Sequence, residues 1–385
     1  MSMNLTALIL SSDDRLVRLL RRAFSDLEIV AEHCPDHESA IHQLTRRRFE
    51  AVIVDASTPH ADQVLRSVRK APANKRAIGV AILQRKTGMQ TAFEHGAHFV
   101  LYQPLSAERA KASLRAVRAL MVRERRRNAR VPLEMPVAVA FGSFREGSSV
   151  SNMTCSDFGE GGMALRWRGS EQSQTSVELR FTLPGVPHAT CIRGEIAWRS
   201  PNGLLGVRFL DLAPEVTDEI RAWLKKTSPE LIDDDAPMAC RLTDLSLGGC
   251  YLQTPTPFPA ATRVALRRHV GELQLRAEGK VRVSHPEHGM GIEFTAGAAS
   301  QRHVEELIAA LAQGASAQPE LLVEPEGIDL EPAQAAGIES GHFENDPLLQ
   351  LFHRAHALTP ENFFRELERQ RHTESEDDAE PILSA

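Results

Sequence analysis

The chain has 385 residues, a length typical of two or three domains, and its 42% hydrophobic content is enough to fill that number of cores. Its net charge of -6 argues against a protein that wraps a nucleic-acid polymer along its surface, so any basic function must be local. The five cysteines show neither C-x-x-C pairs nor zinc-ligand spacing, which predicts reduced core thiols in a cytoplasmic protein. No apolar run approaches the roughly 18 residues needed to span a bilayer, so we expect no membrane partner.

The first third of the chain alternates short β-like runs with amphipathic helical patterns, which is typical of a parallel α/β sheet. The helical spacing of its last segment continues from Ser106 to Asn128 without a breaker. The alternation of strands and helices predicts an α/β domain, with bounds at residues 1–121, whose last helix continues into the next region. The candidate strands are Leu5–Leu10, Ile29–Glu32, Ala51–Asp55, Ile78–Leu83 and Phe99–Tyr102.

Three aspartates follow strands of this predicted sheet. Asp13 and Asp14 come after the first strand, and Asp55 ends the third. Because a parallel sheet binds ligands at the carboxyl ends of its strands, these carboxylates could hold Mg²⁺, with Asp55 as the acceptor of a phosphoryl group.

From Val131 the pattern changes to short alternating strands separated by Gly, Pro and Ser, which predicts antiparallel barrels. Two segments, Asp157–Leu165 and Asp244–Leu252, are variants of one unit. Each unit is followed by a helical pattern, at Val216–Leu224 and His303–Leu311, as expected for a capping helix. The predicted domains are residues 122–228 and 229–313.

Residues 314–385 are rich in Ala, Pro, Glu and Gly, which predicts a mostly disordered tail. Within it, residues 347–371 carry apolar residues at helical spacing and a Thr359-Pro360 helix start. This amphipathic segment either docks on a partner or folds back on the chain's own domains.

An arginine cluster precedes the first barrel. Arg126, Arg127 and Arg130 lie in a run without lysine, and guanidinium groups bind phosphates bidentately, pair with guanine edges and stack on purines. The alternative is a solvated, charged helix end that complements the helix dipole.

The turn Asp157-x-Gly159-x-x-Gly162 follows between two candidate strands. An aspartate there can accept hydrogen bonds from purine N–H groups, and glycines permit close approach of the backbone. A hairpin turn that needs glycine for its own geometry is compatible with that role.

Together these residues resemble the PilZ domain, whose motifs are Arg-x-x-x-Arg and Asp/Asn-x-Ser-x-x-Gly, over roughly residues 122–228. The resemblance implies a six-stranded barrel with a C-terminal helix that binds cyclic di-GMP. Arg126 and Arg130 would then hold guanine and phosphate, and Asp157 would contact the base. Gly159 stands in place of the family's serine, a loss of one hydroxyl expected to weaken binding by ~1 kcal/mol.

The second unit is expected to be a PilZ-like barrel whose turn is kept mainly for shape. It has the full turn Asp244-x-Ser246-x-x-Gly249, but no paired arginines precede it, and three aspartates would repel phosphate. Strand arginines could substitute, although solvated arginines are the favoured interpretation; these are Arg241, Arg263, Arg267 and Arg268.

The first third resembles a response-regulator receiver domain of flavodoxin-like fold, but Gln103 replaces the family's lysine before proline and the usual Thr or Ser is missing near Gln84. Without that lysine a phosphoaspartate loses its main partner, which favours a degenerate receiver that serves as a docking or dimer surface.

No enzymatic signature accompanies these features. The leading hypothesis is a non-enzymatic signalling protein in which the first barrel binds cyclic di-GMP and the receiver-like domain or tail relays it to a protein partner. The alternatives are a phosphorylation-driven response regulator and a ligand-free protein–protein scaffold.

Overall fold

The computed structural model describes residues 5–84, 88–144, 150–167, 175–210, 212–228, 235–270, 273–295, 302, 304–306, 308–309, 319–329 and 346–377. The chain divides into two compact units. One is Glu124–Asp233, and the other combines Asn4–Arg123 with Asp234–Ala385.

The receiver-like region contains a five-stranded parallel sheet in the order β2-β1-β3-β4-β5. Every residue of β3 and β4 is buried, which explains their unbroken apolar sequences. The strands are β1 Leu5–Leu10, β2 Ile29–Cys34, β3 Ala51–Asp55, β4 Ile78–Leu83 and β5 Phe99–Tyr102. The helices are α1 Asp14–Ser25, α2 His37–Arg46, α3 Ala61–Lys70, α4 Met89–Glu94 and α5 Ala107–Asn128. Four predicted strands agree residue for residue with the structure, and β2 extends two residues past Glu32.

The first barrel is a closed sheet of six antiparallel strands in the order β10-β11-β8-β7-β6-β9. Its core is built on Phe158, which contacts the rings of Phe181, Phe209 and Trp223. Trp223 comes from α6, which starts with Pro214 at its first position and caps the barrel. The elements are β6 Val131–Phe141, β7 Val150–Gly159, β8 Gly162–Arg166, β9 Ser176–Phe181, β10 Thr190–Ser200, β11 Leu204–Leu210 and α6 Pro214–Thr227.

The second barrel is also closed, in the order β12-β13-β16-β15-β14-β17. Its strands are β12 Met238–Leu245, β13 Gly249–Gln253, β14 Thr262–Val270, β15 Leu273–His285, β16 Gly289–Phe294 and β17 Glu320–Ile328. Within the predicted capping helix His303–Leu311, residues 304–306 and 308–309 are helical, as is residue 302 before it; the other residues of that prediction lie outside the described residues.

The two barrels use their strands in a different chain order. In the first barrel, β6 pairs with both β7 and β9, and it is the first strand in the sequence. In the second, β17 pairs with β12 and β14 in the equivalent way, although it comes last. The second barrel is therefore a circular permutation of the first, and its closing strand lies beyond the predicted boundary at residue 313.

The segment predicted to be a mostly disordered tail, 314–385, thus contributes a strand to the second barrel. Leu321 and Val323 of β17 are buried, while the Pro, Glu and Gly content of this stretch had the composition of a linker. Pro325 is tolerated because it lies where the pairing with β14 shifts register.

Two helices follow, as the apolar spacing of residues 347–371 predicted. They are α7 Pro347–Arg354 and α8 Pro360–Asp377, joined by a 3₁₀ turn at Ala355–Ala357. Their apolar residues are buried against the second barrel in a cluster with Tyr251 and Val283. Of the two outcomes predicted for this segment, the structure has the one in which it folds back on the chain.

Candidate functional site: the turn of the first barrel

The arginine cluster lies at the end of α5 and the start of β6. Arg126 and Arg127 are in the last turn of the helix, where cations interact favourably with the helix dipole. The helix closes with a hydrogen bond from the amide of Ala129 to the carbonyl of Arg126, 3.0 Å. Arg130 then directly precedes β6, so all three predicted arginines lie within five residues of the first strand of the barrel.

The Asp157–Gly162 turn joins β7 to β8, and Gly159 pairs with Gly162 across it. Asp157 pairs with Pro132 in β6, two residues beyond Arg130. The register of β6 with β7 therefore places the turn next to the start of β6, where Arg130 lies.

The closest approach is between Arg130 and Asp157, whose Nε and Oδ1 atoms are 3.7 Å apart. The two side chains are 37% and 38% exposed. Arg130 also donates from Nη1 to the carbonyls of Arg127 and Ala129, at 3.3 and 3.0 Å. A guanidinium and a carboxylate thus lie side by side at a solvent-accessible surface.

Gly159 is required by the position of Arg130. A Cβ added at Gly159 would lie 2.3 Å from the carbonyl oxygen of Ala129 and 2.5 Å from Nη1 of Arg130. At Gly162, an added Cβ would lie 2.2 Å from the carbonyl oxygen of Val207. Both glycines therefore serve close packing within the barrel itself.

An ion pair that the sequence did not indicate joins the turn to helix α6. Glu160 is 6% exposed and accepts a 2.8 Å hydrogen bond from Nε of Arg221 in α6. The amide of Phe209 also donates to the carbonyl of Gly161, at 3.1 Å. A buried pair of this kind fixes geometry more than it adds stability, so the turn is held in place by the capping helix and β11.

The chemistry available at this site is anion and purine recognition. Forked N–H donors can bind phosphate oxygens or the O6 and N7 atoms of guanine, and a carboxylate can accept the N–H groups of a purine edge.

The equivalent turn of the second barrel has different contacts. Nε and Nη2 of Arg371 donate to the two carboxylate oxygens of Asp244, at 2.6 and 2.7 Å. The side chain of Asp244 is only 9% exposed. Ser246 accepts from the amide of Gly249 at 3.1 Å and closes its own turn, as expected for a turn kept for shape.

The strand arginines of the second barrel also have acidic neighbours. Arg263 lies 3.6 Å from Asp329, and Arg267 lies 3.2 Å from Glu324 of β17. Arg241 is exposed, and the side chain of Arg268 lies outside the described residues.

In the receiver-like region, Asp55 is 1% exposed and both of its oxygens accept hydrogen bonds from serines. Ser11 donates to Oδ2 at 2.7 Å and Ser57 to Oδ1 at 2.6 Å. The sequence did not indicate the contact of Ser11 with Asp55. The sequence analysis grouped Asp55 with Asp13 and Asp14, which follow Ser11 in the chain.

Asp13 instead caps helix α1, accepting from the amides of Arg15 and Leu16. In the ranges that the structure describes, no three His, Cys, Asp or Glu side chains converge as a metal site requires. The Mg²⁺ site predicted at Asp13, Asp14 and Asp55 stays a prediction; in the structure Oδ1 of Asp13 accepts hydrogen bonds from the backbone of α1.

The comparison with protein families identifies both barrels. The PilZ domain family matches residues 124–226 and 225–312. The chain therefore contains two PilZ domains, the first with the arginine motif and the second atypical. The second match ends before β17, in agreement with the permuted position of that strand.

Solved structures similar to parts of the chain include receiver and PilZ domains. The receiver domain of a sensor histidine kinase from Pseudomonas aeruginosa is 14% identical and aligns over 31% of this chain and 98% of its own, with a TM-score of 0.28. A chemotaxis response regulator of Vibrio cholerae is 17% identical over 30% and 99%, with a TM-score of 0.28. The PilZ domain of CeSA from a cellulose-synthesizing bacterium is 20% identical over 26% and 99%, with a TM-score of 0.22.

No curated protein sequence matches the chain significantly. None of the helices within the described ranges is long and apolar enough to cross a bilayer.

Proposed function

We propose that the first PilZ domain binds cyclic di-GMP and that the chain relays this signal to a protein partner without catalysing a reaction. The observation that carries the proposal is the pairing of an accessible Arg130 with an accessible Asp157 at a turn of PilZ sequence. In the second domain the equivalent aspartate is already held by an arginine of the same chain.

Each residue has a role that its chemistry suits. Arg126, Arg127 and Arg130 bind phosphate oxygens and the guanine edge, since their charge persists at any physiological pH. Asp157 accepts from the N–H groups of guanine. Gly159 and Gly162 keep the turn close to Arg130 and to β11, so that the ligand meets backbone atoms.

The Arg130–Asp157 ion pair is long, at 3.7 Å, and both side chains are accessible, while Nη1 of Arg130 also donates to the carbonyls of Arg127 and Ala129. An exposed ion pair of this length contributes little stability, so exchanging it for ligand contacts costs the fold little. The shorter Glu160–Arg221 pair, at 2.8 Å, holds the turn in place while Arg130 and Asp157 exchange their contacts for the ligand.

The proposal is tested by isothermal titration calorimetry of the full chain with cyclic di-GMP. We expect saturable binding at micromolar concentration or tighter in wild type, and its loss in Arg126→Ala/Arg130→Ala, because several charge-assisted hydrogen bonds disappear together.

The matched control is Arg180→Ala. Arg180 pairs with Ala138, six residues along β6 from Pro132, so it lies about 20 Å from the turn. This variant should bind like wild type. Absence of saturable wild-type binding, or equal binding by the double variant, would show that the first domain does not act through this site.

A further inference from the structure

The helix pair at the C-terminal end of the described chain covers the turn of the second barrel. Asp346 caps α7 by accepting from the amides of Leu348 and Leu349 with Oδ1, at 3.0 and 3.2 Å. Its other oxygen, Oδ2, accepts from the amide of Gly248 at 3.0 Å. One carboxylate therefore fixes the start of the helix and joins it to the Asp244–Gly249 turn.

Apolar side chains of α7 then fill the space left by three glycines. Leu349 packs on Gly248 and Gly249, where an added Cβ would lie 2.5 and 3.0 Å from its methyl carbons. Phe352 packs on Gly291 of β16, where an added Cβ would lie 2.6 Å from the ring. The face of the barrel is shaped for the helix, because larger side chains at these glycines would displace it.

Helix α8 adds an aromatic contact. Phe363 is fully buried, and its ring centroid lies 5.8 Å from that of Tyr251 and 4.4 Å from that of His285. Tyr251 and His285 are themselves joined by a 3.2 Å hydrogen bond. The phenol and imidazole thus satisfy each other and present their rings to the helix pair.

The final contact is the forked hydrogen bond of Arg371 to Asp244. Asp244 occupies the position in the second turn that Asp157 occupies in the first, where it faces Arg130. In the first barrel Arg130 directly precedes β6, the strand equivalent to β17. The sequence between Arg302 and β17 contains no arginine, and the arginine that binds Asp244 comes from the helix pair instead.

We propose that this face of the second PilZ domain is a peptide-binding site whose ligand is the helix pair of residues 346–371. The site selects an amphipathic helix with an aspartate cap and a Leu and Phe stripe, followed by a second helix that carries an arginine. It does not suit a cyclic dinucleotide, because the carboxylate of Asp346 occupies the amide of Gly248 in the turn and repels a phosphate there.

The test uses the full chain, folded and then cut at a protease site placed in segment 330–345. A labelled synthetic peptide of residues 346–377 is added, and its uptake into the cut protein is measured by fluorescence anisotropy. We expect saturable exchange with the native segment, and about tenfold weaker uptake of the Arg371→Ala peptide, since a forked charge-assisted pair is lost.

Arg369→Ala supplies the matched control, because Arg369 is 73% exposed and pairs with Glu366 of its own helix. This peptide should exchange like wild type. Failure of the labelled peptide to enter while the native segment stays bound, or equal uptake of the Arg371→Ala peptide, would overturn the proposal.

A second measurement needs no cleavage. In the intact chain, Arg371→Ala should speed amide hydrogen exchange in residues 346–371, whereas Arg369→Ala should not. Equal protection in both variants would contradict a separable site.

A third measurement adds cyclic di-GMP to the cut chain with the labelled peptide bound. This chain also carries Arg126→Ala/Arg130→Ala, so that the first domain does not contribute. Cyclic di-GMP should leave the labelled peptide in place. Displacement would assign this face to the nucleotide instead, whether or not the first domain binds it.

Discussion

Gly159 determines how closely Arg130 can approach the turn of the first barrel. Its replacement of the family's serine predicted weaker ligand binding through the loss of one hydroxyl. The structure adds a second effect, because the carbonyl of Ala129 and the guanidinium of Arg130 occupy the space that a side chain would need.

We therefore expect Gly159→Ser to lower the free energy of unfolding of the first barrel by about 1–3 kcal/mol, as overpacking does, without tightening cyclic di-GMP binding. Urea unfolding and calorimetry measure the two effects. Gly161→Ser is the control for stability, since an added Cβ there would lie 3.5 Å from the carbonyl of Arg127, an ordinary contact. Tighter binding by Gly159→Ser at unchanged stability would contradict this assignment.

His285 makes the second barrel sensitive to acid. It is 7% exposed and packed between Tyr251 and Phe363. Burial, and secondarily the neighbouring His288, lowers its pKa to about 4. Between about pH 6.5, the ordinary pKa of histidine, and pH 4 the unfolded chain binds a proton that the folded chain does not, so stability falls on acidification.

Taking the protein from pH 7 to pH 5 should cost about 2 kcal/mol through His285 alone. Chemical unfolding of wild type and His285→Gln at both pH values isolates this contribution, since other groups titrate in both proteins. The variant should lose less stability than wild type over this interval. Identical losses would show that His285 is protonated without penalty in the folded state.

At the scale of elements, β17 closes the second barrel from an unexpected place in the sequence. Periodicity identifies a strand by its own residues, but it carries no information about which strands it pairs with. The paired Asp and Gly motifs could be assigned because they are local, whereas β17 is joined to β12 and β14 only by long-range registers such as Met238 with Val323.

A chain ending at residue 313 should lose the second barrel's cooperative unfolding, because β12 and β14 are left with open edges and a core without Leu321 and Val323. A chain ending at residue 329 keeps all six strands and should retain it. Limited proteolysis and thermal unfolding of the two truncations compare them directly. Equal protection of the barrel in both would mean that β17 is dispensable.

The same distinction explains the rest of the site. The arginine cluster and the Asp157–Gly162 turn could be picked out from the sequence, since each is a short local motif. Arg371 on Asp244 and Ser11 on Asp55 could not, because each joins segments whose sequences give no sign of the other. The aspartates after β1 suit two roles in the sequence, since an aspartate before a helix is also a favourable N-cap, and the structure shows Asp13 in that second role.

At the scale of the whole molecule, the receiver-like domain and the second barrel belong to one compact unit, although the first barrel lies between them in sequence. Within that unit, Arg123 donates to Glu326 of β17 at 2.8 Å. The residues of the receiver-like domain around Asp55 favour a docking role over a phosphorylation switch, since both oxygens of Asp55 are already hydrogen-bonded and Gln103 replaces the lysine.

Incubation of the full chain with acetyl phosphate and Mg²⁺ should therefore add no phosphoryl group to Asp55. Intact-mass spectrometry is the measurement, and Asp55→Asn is the reference. A phosphoryl adduct present in wild type and missing from Asp55→Asn would restore the phosphorylation-driven alternative.

The equivalent aspartates of the two barrels can be compared in one calorimetric titration with cyclic di-GMP, which tests whether the first barrel alone binds the nucleotide. Asp157 is accessible beside Arg130, and Asp244 is held by Arg371. We expect Asp157→Ala to weaken binding by tenfold or more, on the order of 1.4 kcal/mol, and Asp244→Ala to bind as wild type does. Loss of binding in Asp244→Ala with full binding by Asp157→Ala would contradict the account.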